Sequence, residues 1–282
     1  MVENIRTLCF PDDEKSCFAC CPPIRPFDYE HIQYKNIIMR FLRENNEGFK
    51  REEREIISIT GFSCWALGYL DDSHKLIGCL LHPAQNGGTD YRYRIDYGEK
   101  CRRENCREEK TFSELGRKDQ EFWIHLVAGF DSFSYSSRRL NPLFQLMGWG
   151  KHLLSLIPLK ERGKRFTKPS FFRAYPFFKT NISSRANAYL IDRLVREENI
   201  HILQENSFGS EFSMFVSDLE DYLSRVSTHF PGDPYVHLLD LDKDFSDFLR
   251  LSARIPRIKM EEAGRLKKIV NEATDIFRSK FT

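Results

Sequence analysis

The eight cysteines of this chain are confined to its first part, and this arrangement constrains the fold more than any other feature. They occupy positions 9, 17, 20, 21, 64, 79, 101 and 106, and residues 107–282 contain none. Small domains often need disulfide cross-links to be stable. A chain of 282 residues with 41% hydrophobic residues can bury a large core without them, so this need does not explain the cysteines. We predict a cysteine-bearing module at residues 1–110 and an α-helical domain at residues 111–282.

The densest part of the cysteine region is the segment CFACCPPIRP at residues 17–26. It provides a C-x2-C pair, Cys17 and Cys20, that is followed at once by Cys21. Thiolates are soft ligands that bind zinc, copper(I) and iron–sulfur clusters, and the prolines at positions 22 and 23 reduce the number of conformations lost on binding. Because adjacent side chains diverge, the Cys20-Cys21 pair favours a polynuclear cluster or two neighbouring metals over one zinc ion.

A second group of candidate metal ligands lies downstream of this segment. CLLH is a C-x2-H pair and CRRENC is a C-x4-C pair. Together with the first segment, these motifs predict a site for an iron–sulfur cluster or Zn2+. The full set of candidate ligands is Cys9, Cys17, Cys20, Cys21, Cys64, Cys79, His82, Cys101 and Cys106.

Two of the downstream cysteines fall in a predicted β-hairpin. The apolar segments CWALGYL and KLIGCLL flank the turn sequence DDSH. A turn centred on Asp72 and Ser73 pairs Cys64 with Leu81, and Cys79 with Ala66. In this register both thiols lie on one face of the hairpin, about 7 Å apart.

Local patterns predict one helix and one further strand in the first part of the chain. A helix capped by Asp28 would bury Tyr34, Ile37, Ile38, Phe41 and Leu42, which recur at helical spacing. The strict alternation of YRYRIDY, residues 91–97, predicts a half-buried strand.

The remainder of the chain carries helical patterns. One apolar stripe follows a possible Ser210 cap, a second lies near the C-terminus, and a third lies at residues 185–195. The first two stripes consist of Phe212, Phe215, Val216, Leu219, Tyr222 and Leu223, and of Leu266, Ile269, Val270, Ala273, Ile276 and Phe277. The predicted fold is mainly α, a helical body with an N-terminal cysteine-rich metal-binding module that contains a short β-hairpin.

This order of motifs resembles the YkgJ-type cysteine-cluster proteins, a family described as zinc- or iron-chelating and related to flagellin lysine methylases that carry an iron–sulfur cluster. The shared features are the C-x2-CC run with its prolines, the helix after it, the G-C-x-x-H-P element and the final cysteine pair, and they cover residues 9–106. Cys9 and His82 stand where this chain departs from the family's pattern. The resemblance implies metal ligation by Cys17, Cys20, Cys21, Cys64, Cys79 and the Cys101/Cys106 pair.

Three other interpretations of the cysteines stay open at this stage. Cys64 and Cys79, in apolar segments, could simply fill the core, because free cysteine is among the most buried residue types. A framework of disulfides would require an oxidising compartment. The CFAC motif could also carry out thiol redox chemistry, since a C-x-x-C pair can have a lowered thiol pKa.

A basic, aromatic segment offers a different kind of function. GKRFTKPSFFRAYPFFK, residues 163–179, contains six aromatic residues, five Lys or Arg and no acid. This composition suits single-stranded nucleic acid, with aromatic rings stacking on bases and cations on phosphates. The candidate cations are Lys164, Arg165, Lys168 and Arg173. Alternatively, the segment buries its rings in the helical domain.

The sequence predicts a cytoplasmic metal-cluster protein with a redox, sensing or structural role. The N-terminus has no secretory pattern, and no apolar run approaches the roughly 20 residues of a membrane span. The predicted partners are the metal ion or cluster and a further protein. Two alternatives are a protein-lysine methyltransferase-like enzyme that carries an iron–sulfur cluster, as the family resemblance suggests, and a nucleic-acid-binding protein that uses residues 163–179.

Overall fold

The computed structural model of the protein describes residues 7–21, 26, 28–49, 55–60, 63–103 and 106–281. These residues are mainly helical and include a two-stranded antiparallel hairpin, which confirms the mainly α class and the hairpin. The chain forms two compact units. The first comprises Met1–Glu114 and Val127–Phe144, and the second Leu115–Leu126 and Gln145–Thr282. The predicted boundary between residues 110 and 111 stays a prediction.

The helices and strands follow one another along the chain with short 3-10 turns between several of them. In chain order they are α1 (Lys35–Gly48), β1 (Leu67–Tyr69), β2 (Ile77–Cys79), α2 (Gly98–Arg103), α3 (Arg107–Ser113), α4 (Arg117–His125), α5 (Ser132–Ser136), α6 (Leu143–Leu146), α7 (Lys151–Lys160), α8 (Lys168–Ala174), α9 (Ser184–Leu194), α10 (Phe208–Val226), α11 (Lys243–Asp247) and α12 (Met260–Arg278).

Helix α1 buries a narrower face than its sequence pattern predicts. Ile38 and Leu42 are buried at i and i+4, as expected for the core side of a helix. Ile37 is 48% exposed, and Tyr34 precedes the helix as its N-cap residue. The Asp28 cap is therefore wrong, because a 3-10 turn at His31–Tyr34 separates Asp28 from the helix.

The hairpin forms, but its register differs by one residue from the prediction. The loop is closed by a backbone hydrogen bond from Leu70 to Leu76, and the Asp71 carboxylate accepts the backbone N–H of Leu76. The loop within this bond is residues 71–75, one residue longer than DDSH, and His74 in it adopts a left-handed backbone with φ of 58°. Cys79 thus does not pair with Ala66. The observed pairs are Leu67 with Cys79, Gly68 with Gly78, and Tyr69 with Ile77.

The segment YRYRIDY does not form the predicted strand. Residues Arg92–Arg94 form a 3-10 turn, and Ile95 makes a single bridge with Ile57. The Asp90 carboxylate accepts the backbone N–H and Nε–H of Arg92, which favours the turn. Alternation in sequence suits a strand, but a strand also needs a partner along its length.

In the second unit, the long helices follow the predicted stripes closely. Helix α10 buries Phe212 and Leu223, and α12 buries Leu266 and Val270. The stripes are narrower than predicted, since Ile276 is 69% exposed. Helix α10 also begins earlier than predicted, after Ser207 instead of after Ser210.

None of the helices that the structure describes has the length and apolar character needed to cross a membrane.

Candidate functional site

The first cysteine segment is held by one face of helix α5 in the first unit. Ser132 and Ser136 lie at i and i+4, where side chains share a helix face. Ser132 Oγ accepts the backbone N–H of Ser16 at 2.9 Å, and Ser136 Oγ accepts that of Phe18 at 2.9 Å. The Tyr135 hydroxyl donates a hydrogen bond to the backbone carbonyl oxygen of Leu8, the residue before Cys9. These bonds fix the backbone on both sides of Cys17.

Seven of the eight cysteines line one cavity of about 200 Å³ in the first unit. His82 and Arg92 line it as well, and the rest of its wall is largely apolar. Cys9, which departs from the family's spacing, is part of this set. The lining thiols are those of Cys9, Cys17, Cys20, Cys21, Cys64, Cys79 and Cys101.

None of the eight cysteines forms a disulfide bond, and Cys64 is the most deeply buried of them, whereas Cys20 is exposed. Over the described residues, no group of three or more His, Cys, Asp or Glu side chains is arranged to hold a metal ion. The prolines at positions 22 and 23, predicted to rigidify the exit from the segment, lie outside the described residues.

Four of the sulfurs accept a backbone N–H from a residue two or three positions further along the chain. Such donors stabilise a thiolate, because they place positive charge next to the sulfur. The bond to Cys106 measures 3.3 Å and also caps helix α3. The pairs are Cys17 with Ala19, Cys64 with Ala66, Cys79 with Leu81, and Cys106 with Glu109.

Burial and mutual proximity hold these thiols in their protonated form. Burial raises the pKa of Cys17 and Cys64 to about 12, and that of Cys79 and Cys106 to about 11. Neighbouring thiols add to each of these increases. A metal cation that binds these sulfurs would displace their protons, so binding would release protons.

Two arginines lie near the thiols, and no local pattern in the sequence points to their role. Arg92 donates from Nη1 to the carbonyl oxygen of Cys101 at 3.1 Å and pairs with Asp90 at 2.8 Å, and its charge offsets part of the increase that burial causes in the pKa of Cys79. The Arg138 guanidinium likewise offsets part of the increase that burial causes in the pKa of Cys17. Both cations favour a negatively charged set of thiolates.

His82 lines the cavity, and its side chain also caps a short 3-10 turn. Its Nδ1 accepts the backbone N–H of Ala84 at 3.2 Å and so caps the 3-10 turn Pro83–Gln85. Burial lowers the pKa of His82, which favours the neutral ring that metal ligation requires. With Nδ1 used as an acceptor, the proton of the neutral ring lies on Nε2, so His82 would have to give up this hydrogen bond in order to bind a metal.

The basic, aromatic segment lies in the second unit, where its rings contribute to the core. Phe171, Tyr175, Phe177 and Phe178 are all buried, so these rings are not exposed for stacking on bases. Lys164 pairs with Glu161 at 2.6 Å. Arg165 and Arg173 are exposed, and Lys168 is half-buried.

Comparison of the chain with protein-family models, with curated proteins and with solved structures found no match. The residues and geometry of the first unit are therefore the basis for inferring a function.

Proposed function

We propose that the first unit is a metal-binding module whose cysteine thiolates hold an iron–sulfur cluster or Zn2+, with a redox, sensing or structural role. The observation that carries this proposal is the cavity lined by seven thiols and His82. Core-filling cysteines would not need to gather around one space from segments as distant as Cys9 and Cys101. The resemblance to the YkgJ-type proteins implies six of these thiols as ligands, those of Cys17, Cys20, Cys21, Cys64, Cys79 and Cys101.

The residues around the cavity fit a negatively charged centre. Soft thiolate donors suit iron–sulfur clusters and zinc, and the backbone N–H groups at four sulfurs favour the thiolate form. The thiols line the cavity without forming a compact ligand group among the described residues, so we propose that they converge when metal binds. An iron–sulfur cluster would supply one-electron chemistry, whereas a closed all-thiolate zinc site would stabilise the fold.

The test is the metal content of the full chain after anaerobic purification and anaerobic reconstitution. We expect either iron and sulfide in stoichiometric amounts with visible absorbance, or stoichiometric zinc in a colourless protein. His201→Ala, at an exposed position of the second unit, is the control and should bind as much metal as the wild type. Failure of the wild type to bind either metal, by both routes, would contradict the proposal.

The methyltransferase and nucleic-acid alternatives stay predictions. Four of the six rings of residues 163–179 are buried, and these four offer no surface for stacking on bases in support of the nucleic-acid alternative.

A further inference from the structure

We propose that a second cavity of the first unit, of about 460 Å³, binds a small zwitterion with an apolar side chain, such as a free α-amino acid. The cavity is lined by residues of helix α1 and of the hairpin loop. Its volume is typical of small-molecule sites, which measure roughly 300–1,000 Å³. None of the described cysteines lines it, so the inference goes beyond the proposed metal-binding function and does not depend on it.

One side chain joins the two walls of this cavity. Asn46 of α1 donates from Nδ2 to the carbonyl oxygen of Tyr69 at 2.8 Å, and its Oδ1 accepts the backbone N–H of Tyr69 at 2.7 Å. The helix and the strand approach so closely that a Cβ at Gly68 would lie 2.5 Å from Asn46 Oδ1. The walls are therefore fixed by the fold before any ligand binds.

Part of the lining is apolar and aromatic. Phe49, Leu70, Leu80 and Tyr69 contribute to it. The Tyr69 ring stacks on the His74 ring, with the centroids 4.3 Å apart and the planes at 26°. His74 occupies this position with a left-handed backbone, φ of 58°, and such backbone outliers cluster at ligand sites. This wall suits an apolar or aromatic side chain.

The rest of the lining includes charges of both signs. Arg43 and Glu47 lie at i and i+4 on α1 and so share a helix face, and Asp72 belongs to the hairpin loop. Within the part of the chain that the structure describes, no hydrogen bond or ion pair engages the side chains of these three residues. Asp71 differs, because its carboxylate accepts the backbone N–H of Leu76 at 2.6 Å. One guanidinium and two carboxylates thus stay available to a ligand.

These groups suit a zwitterion better than a ligand with a single charge. The Arg43 guanidinium would bind a carboxylate, and Glu47 and Asp72 would accept hydrogen bonds from an ammonium group. Burial raises the pKa of Tyr69, and the Arg43 charge offsets part of this increase, so the guanidinium acts on the aromatic wall. A simple amine would be repelled by Arg43, and a simple anion by the two carboxylates.

The test is isothermal titration calorimetry of the full chain with L-phenylalanine, L-leucine and L-methionine. Two analogues each remove one charge, since N-acetyl-L-phenylalanine lacks the cation and phenethylamine lacks the carboxylate. We expect saturable binding of L-phenylalanine to one site per chain. Each analogue should bind about tenfold more weakly or worse, because it loses a hydrogen bond between charged groups.

Two variants link the binding to this cavity. Arg43→Gln and Asp72→Asn each remove one charge at an exposed position, so both proteins should fold, which circular dichroism checks. Each should bind L-phenylalanine about tenfold more weakly than the wild type does. Arg40→Gln is the matched control and should bind it normally, because Arg40 is an exposed residue of the same helix that does not line the cavity.

Three results would overturn the inference. The first is that none of the three amino acids binds at millimolar concentration. The second is that phenethylamine binds as tightly as L-phenylalanine, which would assign the cavity to simple amines. The third is an unchanged affinity in either cavity variant. Metal content is measured separately, so the proposed metal-binding function stands or falls independently of these results.

Discussion

Cys20 and Cys21 are neighbours in the chain, but Cys20 is exposed and Cys21 packs against the hydrophobic core of the first unit. Their thiols nevertheless share a hydrogen bond, so this short segment joins an exposed thiol to one at the edge of the core. Since the segment is anchored by hydrogen bonds to helix α5, its position depends on a part of the chain more than 100 residues away.

The first prediction concerns the hydrogen bonds that Ser132 and Ser136 of helix α5 accept from the cysteine segment. The double variant Ser132→Ala/Ser136→Ala leaves the buried backbone N–H groups of Ser16 and Phe18 without their acceptors. Each lost acceptor should cost about 1–3 kcal/mol of unfolding free energy. Urea denaturation measures the loss, and Ser113→Ala, at an exposed serine of the same unit, is the control. A double variant as stable as the control would show that these bonds do not hold the cysteine segment.

The second prediction separates the two roles of Cys106, as a helix cap and as a metal ligand. Its sulfur accepts the backbone N–H of Glu109, a bond that a serine hydroxyl can replace but alanine cannot. In the presence of a chelator, Cys106→Ala should be about 1 kcal/mol less stable than Cys106→Ser. Both variants should bind less metal than the wild type, because a hydroxyl is a poor ligand for soft metals. Full metal binding by Cys106→Ser would rule out a ligand role.

The third prediction is a dependence of stability on pH in the second unit. Burial acts to raise the pKa of Glu161, but hydrogen bonds from Lys164 and Tyr175 outweigh it, so its pKa lies below the ordinary value of 4.5. A carboxyl group with a lowered native pKa stabilises the fold above its unfolded pKa, and this contribution is lost as the pH falls through the native pKa.

Glu161→Gln should therefore destabilise the protein by about 1–3 kcal/mol at pH 7, and by less at pH 3. Urea denaturation at the two pH values measures this difference. Glu197→Gln, at an exposed position, should have little effect at either pH. A cost of Glu161→Gln that is the same at both pH values would contradict the argument.

The fourth prediction tests the burial of the aromatic segment. Phe177 is fully buried, with its ring 5.1 Å from that of Trp149 and 5.3 Å from that of Phe208. Phe177→Ala should cost about 3–5 kcal/mol in thermal or urea denaturation. Phe230→Ala, at a residue that is 56% exposed, should change stability little. A stable Phe177→Ala variant that loses binding to single-stranded RNA would instead favour the nucleic-acid interpretation.

The fold elements that were predicted correctly depend on local patterns. Ile38 and Leu42 are buried because helical spacing places them on one face, and the hairpin forms where apolar segments flank polar turn residues. The register of the hairpin was wrong, because it depends on how the Asp71 side chain and the His74 backbone close the loop.

The cysteines that line the cavity were marked by their spacing in the sequence, but the residues around them were not. The spacing of Cys17, Cys20 and Cys21 marked the first segment, and the structure places these thiols on one cavity with downstream cysteines. Arg92 was misassigned to a strand, and the serines of α5 carry no motif that links them to residues 16–18. Such contacts join residues far apart in the chain, so no local pattern reports them.

The sequence by itself determined that the cysteines are confined to the first 106 residues and that the chain is mainly helical, since composition and periodicity are local properties. Only the tertiary structure decided which thiols are neighbours, that Cys20 is exposed while Cys21 packs against the hydrophobic cluster, and that four of the six rings of residues 163–179 are buried. The physical reason is that burial and electrostatic proximity depend on packing between distant segments, and that packing is a property of the folded chain as a whole.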